Sequence, residues 1–213
     1  MADEAQRQAE VCADPERRSE LLQIAENCRV VPENPPQTFW QALQMVWFAH
    51  VYFHIEVCTT ACGFGRFDQY MWPFYRKDVL EDKSLGREAA MELLECFYLK
   101  ACEVYEVRDQ WYASSFAGYP MWQILVVGGQ TPDGQDASND ISYLCLDAAA
   151  EMQTTQPVMA LRVWEGTPEA LMRKGCDKAA QIAAGRKAMA AGIEINEFSM
   201  PGMGGREWAE ESA

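Results

Sequence analysis

The sequence predicts an α/β protein with a helix-rich first half and two or more strands of a parallel sheet in its second half. Helical patterns of apolar residues follow one another as far as about residue 107. Beyond Phe116, short apolar runs alternate with helical segments, which is typical of parallel βαβ units. The 213 residues are 49% hydrophobic and 11% aromatic, which is enough apolar material for one buried core.

Two helices are predicted at the start of the chain. The pair Asp14-Pro15 ends one helical pattern and opens the next. The second helix stops before the proline-rich loop 32–36. Its predicted buried face consists of Leu21, Leu22, Ile24, Ala25 and Cys28.

The third helix is predicted to begin at Phe39 and to run to about Glu56. Thr38 stands at the N-cap position, and Gln41 follows three residues later as its capping-box partner. Apolar residues surround this helix on nearly all sides, so we expect it to be buried. The small and glycine-bearing segment 57–65 predicts a loop.

Helices and strands alternate in the rest of the chain. Turn signals at Gly128-Gly129 and at 131–134 end the first strand. The predicted elements are helices from Arg66 to about Asp82 and from Gly86 to Val107, a strand from Met121 to Val127, a helix capped by Ser138 and running through Met152, a strand from Val158 to Trp164, and a helix that begins at Thr167-Pro168-Glu169.

Charge and hydropathy exclude some classes of partner. The formal net charge is −14 and the sequence pI is about 4.5, which disfavours nucleic acid and anionic lipid as partners. The most apolar run, Val46 to Val57, contains two histidines and a glutamate and is shorter than the ~20 residues of a membrane span. The acidic N-terminus does not resemble a secretory signal, so we expect a cytoplasmic protein with reduced cysteines.

His50 and His54 are four residues apart on one predicted helix, which is a spacing that lets two imidazoles share a metal. The sequence places no third ligand. The alternative is a pair of partly buried histidines that are hydrogen-bonded to neighbours, and this interpretation is favoured. We therefore predict no metal site, and stoichiometric zinc or iron in the purified protein would contradict that prediction.

Other catalytic patterns are incomplete. Cys58 and Cys62 have the spacing of a radical-SAM cluster motif, but Gly65 stands where the third cysteine belongs. The paired glycines do not form a dinucleotide or phosphate-binding loop. With two histidines, both in one helix, no Ser-His-Asp arrangement is predicted either.

Six strings in this sequence resemble those of the glycyl radical enzymes, and they follow one another in that family's order. Together they make a chance match improbable. They are Asn34-Pro-Pro-x-Thr-Phe-Trp-x-Ala-Leu-Gln-x-Val-Trp-Phe, Gly65-Arg-Phe-Asp-Gln-Tyr-x-x-Pro-Phe-Tyr, Glu92-Leu-Leu-Glu-Cys-Phe-Tyr-Leu-Lys, Phe116-Ala-Gly-Tyr-Pro-Met-Trp-Gln, Gly128-Gly-Gln-Thr-x-Asp-Gly and Ser142-Tyr-Leu-Cys-Leu-Asp.

The resemblance implies a partial β/α barrel of the kind that encloses a radical. In the family, one loop carries a catalytic cysteine in a Gly-Cys-Val-Glu-like string, and another carries a radical glycine in an Arg-Val-x-Gly-Tyr-like string. Neither string occurs here, and Gly175-Cys176 is followed by Asp-Lys on a predicted helix, so no catalytic residue is assigned. Residues 1–183 are expected to belong to the barrel domain, and 184–213 to be a divergent tail.

The resemblance also implies substrate-binding positions. Thr59, Thr60 and Ala61 match a loop that lines the substrate pocket in the family, and Phe116 matches an aromatic residue packed against the substrate. For Phe116 the alternative is plain core packing. Where many dehydratases have Glu-Ser-Asn-Gly-His-Ser, this chain has Glu56-Val-Cys-Thr-Thr-Ala, which favours a less hydroxylated substrate and a parent similar to arylacetate decarboxylases.

The leading hypothesis is an internal fragment of a glycyl radical lyase that is inactive alone. Its parent would act on a small organic acid or alcohol, by decarboxylation or dehydration. The expected cofactor of the parent is a glycyl radical installed by a radical-SAM activating enzyme, with none in this chain, and the resemblance allows a homodimer. The alternative is a non-catalytic binding or assembly partner that docks on a complete relative.

Overall fold

The computed structural model describes residues 1–57, 61–104, 109–115 and 122–175. Helix α4 continues directly into a π-helical segment, Arg76–Glu81. The helices are α1 (Ala2–Val11), α2 (Pro15–Val30), α3 (Phe39–Val57), α4 (Phe67–Tyr75), α5 (Arg87–Cys102), α6 (Gln110–Ser115), α7 (Asp140–Met152) and α8 (Glu169–Gly175), and the strands are β1 (Gly65–Arg66), β2 (Ile124–Gly128) and β3 (Val158–Arg162).

The three strands form one parallel sheet in the order β1-β2-β3. Ile124 pairs with Val158 and Gly128 with Arg162, while Gly65 pairs with Leu125. The predicted α/β class and both predicted strands are confirmed. Strand β1 was not predicted, and it lies at the boundary between a predicted loop and a predicted helix. Two residues are too few to show a strand period.

Local side-chain caps begin the first helices much as predicted. Asp14 accepts a hydrogen bond from the Glu16 amide at the start of α2 (3.0 Å), and the Thr38 hydroxyl accepts one from the Gln41 amide (3.2 Å). The Gln41 side chain accepts from the amide of Gln37 rather than from that of Thr38 (2.9 Å). In the capping box before α3, the glutamine side chain therefore bonds to the amide one residue before the N-cap.

Ser138 is not the N-cap of α7, as the sequence predicted. Asn139 caps this helix, and its side chain accepts from the Ile141 amide (3.0 Å) while the Ser142 hydroxyl accepts from the Asn139 amide (3.1 Å). The hydroxyl of Ser138 instead donates to Asp136 (2.9 Å). Two adjacent residues with good capping side chains cannot be separated by sequence pattern alone.

The core lies between the sheet and helices α3, α4, α5 and α7. Tyr98 of α5 is fully buried and donates its hydroxyl to the main-chain oxygen of Cys145 in α7 (2.9 Å). This bond fixes α5 against α7. The largest buried side chains of the core are Phe39, Phe67, Met71, Tyr75, Leu94, Leu125, Ile141, Leu144 and Leu171.

Helix α3 is only half buried, which corrects the prediction that it is buried on all sides. Its first turns pack in the core, whereas Tyr52, Phe53, Ile55 and Val57 are 50–73% exposed. The described residues leave this apolar end uncovered. Within the same residues, no helix is long and apolar enough to span a membrane.

Candidate functional site

A buried polar network lies at the amino-terminal ends of the strands. Gln123 directly precedes β2 and has no solvent exposure. Its Oε1 atom lies 2.6 Å from Nε2 of His50 on α3, and its Nε2 donates to the main-chain oxygen of Ala101 (2.8 Å). The main-chain N–H of Gln123 donates to Oε1 of Gln156 (3.2 Å). One glutamine thus connects α3, α5 and the segment before β3.

The two histidines of α3 contact each other through their Nε2 atoms. Nε2 of His54 lies 3.1 Å from Nε2 of His50. The side-chain nitrogen of Gln123 already donates to Ala101, so the atom that faces His50 is the side-chain oxygen, which can only accept. His50 therefore carries its proton on Nε2. The hydrogen-bonded pair that the sequence favoured is therefore present, with Gln123 as a partner that the sequence did not identify.

Burial keeps these imidazoles neutral. It lowers the pKa of His50 to about 4, against the opposing effect of the hydrogen bond to Gln123, and the proximity of His54 lowers it further. Burial also lowers the pKa of His54. Both rings therefore present uncharged nitrogen atoms near neutral pH.

Aromatic rings surround the buried histidine. The His50 ring lies 4.3 Å from the Phe64 ring and 5.9 Å from the Trp47 ring, centroid to centroid. Phe64 also contacts Phe97 of α5 at 4.9 Å. This aromatic shell excludes water from one side of the imidazole and explains its burial.

Cys62 lies beside the histidine pair. Its thiol, His50 and His54 form a group whose metal-ligating atoms are all within 4.8 Å of one another. Burial raises the pKa of the Cys62 thiol. Cys62 is the third side chain with a metal-ligating atom, which the sequence could not place because only the fold brings the residues after α3 back toward this helix.

A second buried group supports the opposite, carboxyl-terminal ends of the strands. Asp68 of α4 is fully buried and accepts from the Gly128 amide (2.6 Å) and the Ser142 hydroxyl (2.5 Å). Arg66 donates to the main-chain oxygen of Gly128 (3.0 Å). Arg66 and Asp68 of the Gly65-Arg-Phe-Asp string therefore hold the end of β2 in place, and their role is structural.

Most of the predicted substrate-binding residues lie outside the described part of the chain. This applies to Thr59, Thr60 and Phe116, and Cys176 also lies beyond it. Ala61 is described and is an exposed residue between α3 and β1. The assignment of these residues to a substrate wall stays a prediction.

The structure contains no disulfide among the described cysteines. The described set comprises Cys12, Cys28, Cys62, Cys96, Cys102 and Cys145. Cys145 is fully buried, and burial raises the pKa of its thiol far above the usual range. A thiol of this kind packs in the core like a small apolar side chain and does not act as a nucleophile.

Comparison with known proteins gives a consistent family. A family model described as pyruvate formate lyase-like matches residues 1–184. The chain is 42% identical over 153 residues to the probable dehydratase YbiW of Escherichia coli (strain K12), covering 70% of this chain and 19% of that protein. It is 40% identical over 170 residues to the isethionate sulfite-lyase of Bilophila wadsworthia (strain 3_1_6), covering 79% and 20%.

Solved structures agree with the sequence matches. The enzyme of 1,2-propanediol dehydration in Roseburia inulinivorans aligns with a TM-score of 0.78 and 42% identity, covering 81% of this chain and 22% of that one. A glycyl radical enzyme from Archaeoglobus fulgidus aligns with a TM-score of 0.78 and 35% identity, covering 86% and 23%. An indoleacetate decarboxylase from Tractidigestivibacter scatoligenes is 34% identical over 182 residues, covering 84% of this chain and 20% of that protein. The chain spans about a fifth of the length of the curated relatives it matches.

Proposed function

Because the chain belongs to the pyruvate formate lyase-like family of glycyl radical enzymes, we propose that it forms one portion of the barrel wall of a glycyl radical lyase. The complete enzyme performs anaerobic radical dehydration or decarboxylation of a small organic acid or alcohol. The chain alone is inactive, since it contains neither a Gly-Cys-Val-Glu-like nor an Arg-Val-x-Gly-Tyr-like string.

The observation that carries this proposal is the unfinished sheet. Parallel sheets are normally covered on both faces. Strand β3 is only half-buried from Val158 to Leu161, and among the described residues no strand pairs with its outer edge. A barrel that continues beyond β3 with further strands accounts for this edge.

The exposed end of α3 agrees with the same proposal. Large apolar side chains clustered on a surface usually mark an interface. Tyr52, Phe53, Ile55 and Val57 form such a group at the end of one helix. In the complete enzyme, we propose that other parts of the barrel cover them.

The radical chemistry belongs to segments outside this wall. A radical-SAM activating enzyme installs a glycyl radical in the complete enzyme, and a cysteine on another loop removes a hydrogen atom from the substrate. A closed barrel is needed because it shelters the radical from solvent and holds substrate and thiyl at short range. A homodimer of the complete enzyme is part of the same proposal.

The sequence that follows α3 supports a proposal for the substrate class. Residues Thr59, Thr60, Ala61 and Phe116 border the substrate in this proposal. The segment 57–61 replaces polar side chains found in many dehydratases with Val, Cys, Thr, Thr and Ala, which leaves fewer hydrogen-bond partners for hydroxyl groups. We therefore propose a less hydroxylated substrate, such as an arylacetate, and the 34% identity to indoleacetate decarboxylase is compatible with this choice.

Electron paramagnetic resonance tests the wall proposal. The chain is incubated anaerobically with a radical-SAM activating enzyme and S-adenosylmethionine, beside a full-length 1,2-propanediol dehydratase with its own activating enzyme as the positive control. We expect a glycyl doublet from the control and none from the chain. A doublet from the chain itself would falsify the proposal that the radical site lies elsewhere.

A chimera tests the substrate class. In the full-length propanediol dehydratase, the residues that align with 57–61 are replaced by those of this chain. We expect kcat/KM for propanediol to fall while the glycyl radical still forms. Unchanged propanediol turnover would contradict the assignment of this loop to the substrate wall.

The exposed edge of β3 also favours a second candidate function. An unpaired strand edge is a template for pairing with another chain, so the chain could act as a non-catalytic assembly partner of a complete relative. Size-exclusion chromatography of the chain mixed with a full-length relative distinguishes this candidate. The absence of co-elution at micromolar concentration removes it.

A further inference from the structure

Three side chains that commonly bind metals converge at one end of the buried network. The ligating atoms of His50, His54 and Cys62 lie within 4.8 Å of one another, and the two histidine Nε2 atoms are 3.1 Å apart. Two nitrogen ligands of a tetrahedral zinc ion are ~3.4 Å apart at usual bond lengths. Small movements of these side chains therefore bring all three atoms to bonding distance of one ion.

The sequence alone predicted no metal site because it placed no third ligand, but with Cys62 beside the histidines we propose that His50, His54 and Cys62 bind a divalent transition metal, with Zn²⁺ as the best match. Two imidazoles and one thiolate are borderline to soft ligands, whereas Mg²⁺ and Ca²⁺ require oxygen ligands. This site goes beyond the barrel-wall function and does not depend on it, because all three ligands belong to the described part of this chain.

The protein framework holds the ligands from two sides. His50 and His54 are one turn apart on α3, so their side chains project from the same face. Cys62 lies two residues before Phe64, whose amide donates to the main-chain oxygen of Ile124 at the start of β2 (2.7 Å). The ion would thus join the end of α3 to the segment that enters β1.

Binding exchanges protons without any redox step. The His50 proton now on Nε2 must move to Nδ1 through solvent, which frees Nε2 for the metal, and the neutral state of the ring favours this exchange. The Cys62 thiol loses its proton to solvent as the sulfur–metal bond forms. Each bound ion therefore releases one net proton, and Oε1 of Gln123 becomes available as a fourth ligand.

Cobalt substitution tests the site. The full 213-residue chain, reduced and treated with a chelator that is then removed, is titrated with Co²⁺ and the complex is displaced with Zn²⁺. We expect one ion per chain, a thiolate-to-cobalt charge-transfer band, and the intense visible bands of a tetrahedral ion. Failure of the unmodified chain to show the charge-transfer band overturns the proposal.

Matched variants identify the ligands. Cys62→Ser should abolish the charge-transfer band, and His54→Ala should weaken Zn²⁺ binding more than about tenfold, since even the loss of outer-shell partners costs 10–100-fold. Cys96→Ser, at an exposed cysteine of α5 outside the cluster, should leave the titration unchanged. A charge-transfer band that persists in Cys62→Ser, or that disappears in Cys96→Ser, overturns the assignment. Circular dichroism checks that each variant is folded. If Cys62→Ser is not folded, Cys62→Ala takes its place.

Discussion

Single buried polar residues hold distant segments of this chain together. Asp78, for example, is 4% exposed and accepts from the Phe39 amide at the first turn of α3 (2.7 Å), 39 residues away in sequence. Gln123 performs a similar task at the amino-terminal ends of the strands. Such residues are costly to bury unless they are hydrogen-bonded, so their partners define how the elements are positioned.

Asp68 should contribute strongly to stability. Replacing it in Asp68→Ala removes the acceptor of the Gly128 amide and of the Ser142 hydroxyl, and leaves a buried N–H without its partner. We expect the free energy of unfolding to fall by about 3 kcal/mol, as is usual for bonds to a charged acceptor. Urea unfolding of the chain measures this loss.

Ser142→Ala is the matched comparison for Asp68→Ala. It removes one of the two donors to Asp68 and the acceptor of the Asn139 amide, but it leaves the bond to the Gly128 amide intact. Its expected cost is about 1–2 kcal/mol. Equal losses for both variants would contradict the view that the Gly128 amide depends on Asp68.

At the scale of elements, the end of β2 has a constraint of its own. Gly128 has a φ of +74°, and a Cβ placed there would lie 3.1 Å from Cδ1 of Leu161 and 3.2 Å from the oxygen of Arg162. Both the backbone conformation and the crowding disfavour a residue with a Cβ atom at this position. A glycine at position 128, the last residue of β2, is therefore favoured by the backbone conformation and by close packing against β3.

Gly128→Ala and Gly134→Ala separate these two contributions. Gly134 has a similar φ of +79°, but among the described residues no atom would lie within 4 Å of a Cβ added to it. We expect Gly134→Ala to cost about 1–2 kcal/mol from the backbone alone, and Gly128→Ala to cost about 1–3 kcal/mol more because of crowding. Thermal and urea unfolding of both variants measure the difference, and equal costs would contradict a packing role for Gly128.

At the scale of the whole molecule, burial is uneven along α3. Its first turns belong to the core, whereas its last two turns carry large apolar side chains in solvent. This distribution agrees with the proposal that further parts of a complete barrel cover the end of α3. The same proposal would account for a helix that is apolar on all sides and is half exposed among the described residues.

Two substitutions test this view of burial in the isolated chain. Ile55 is 73% exposed and Leu94 is 0% exposed. We expect Ile55→Ser to change the free energy of unfolding by less than about 0.5 kcal/mol, and Leu94→Ala to lower it by about 3 kcal/mol. A large loss for Ile55→Ser would show that the chain covers the end of α3 by itself.

Sequence reasoning was most successful for long helices and for apolar strands. The helix after Thr38, the strand before Gly128 and the break at Asp14-Pro15 all followed from period, capping and turn chemistry, which are local properties. It was wrong for the N-cap at Ser138 and for the burial of the end of α3. Ser138 and Asn139 have similar capping preferences, so the pattern could not choose between them. The end of α3 is apolar on all sides, so the pattern could not show that the described residues leave it uncovered.

The sequence by itself determined the α/β class, the family resemblance and the two-histidine spacing, because these depend on residue order and period alone. Only the tertiary structure decided that Gln123 bonds to His50, that Cys62 lies beside both histidines and that Asp68 holds the end of β2. Two of these contacts join residues far apart in the chain, up to 74 positions for Asp68 and Ser142, and Cys62 is near the histidines in sequence but is separated from them by the end of α3. In all three cases packing decides the contact, and packing leaves no periodic signal in the sequence.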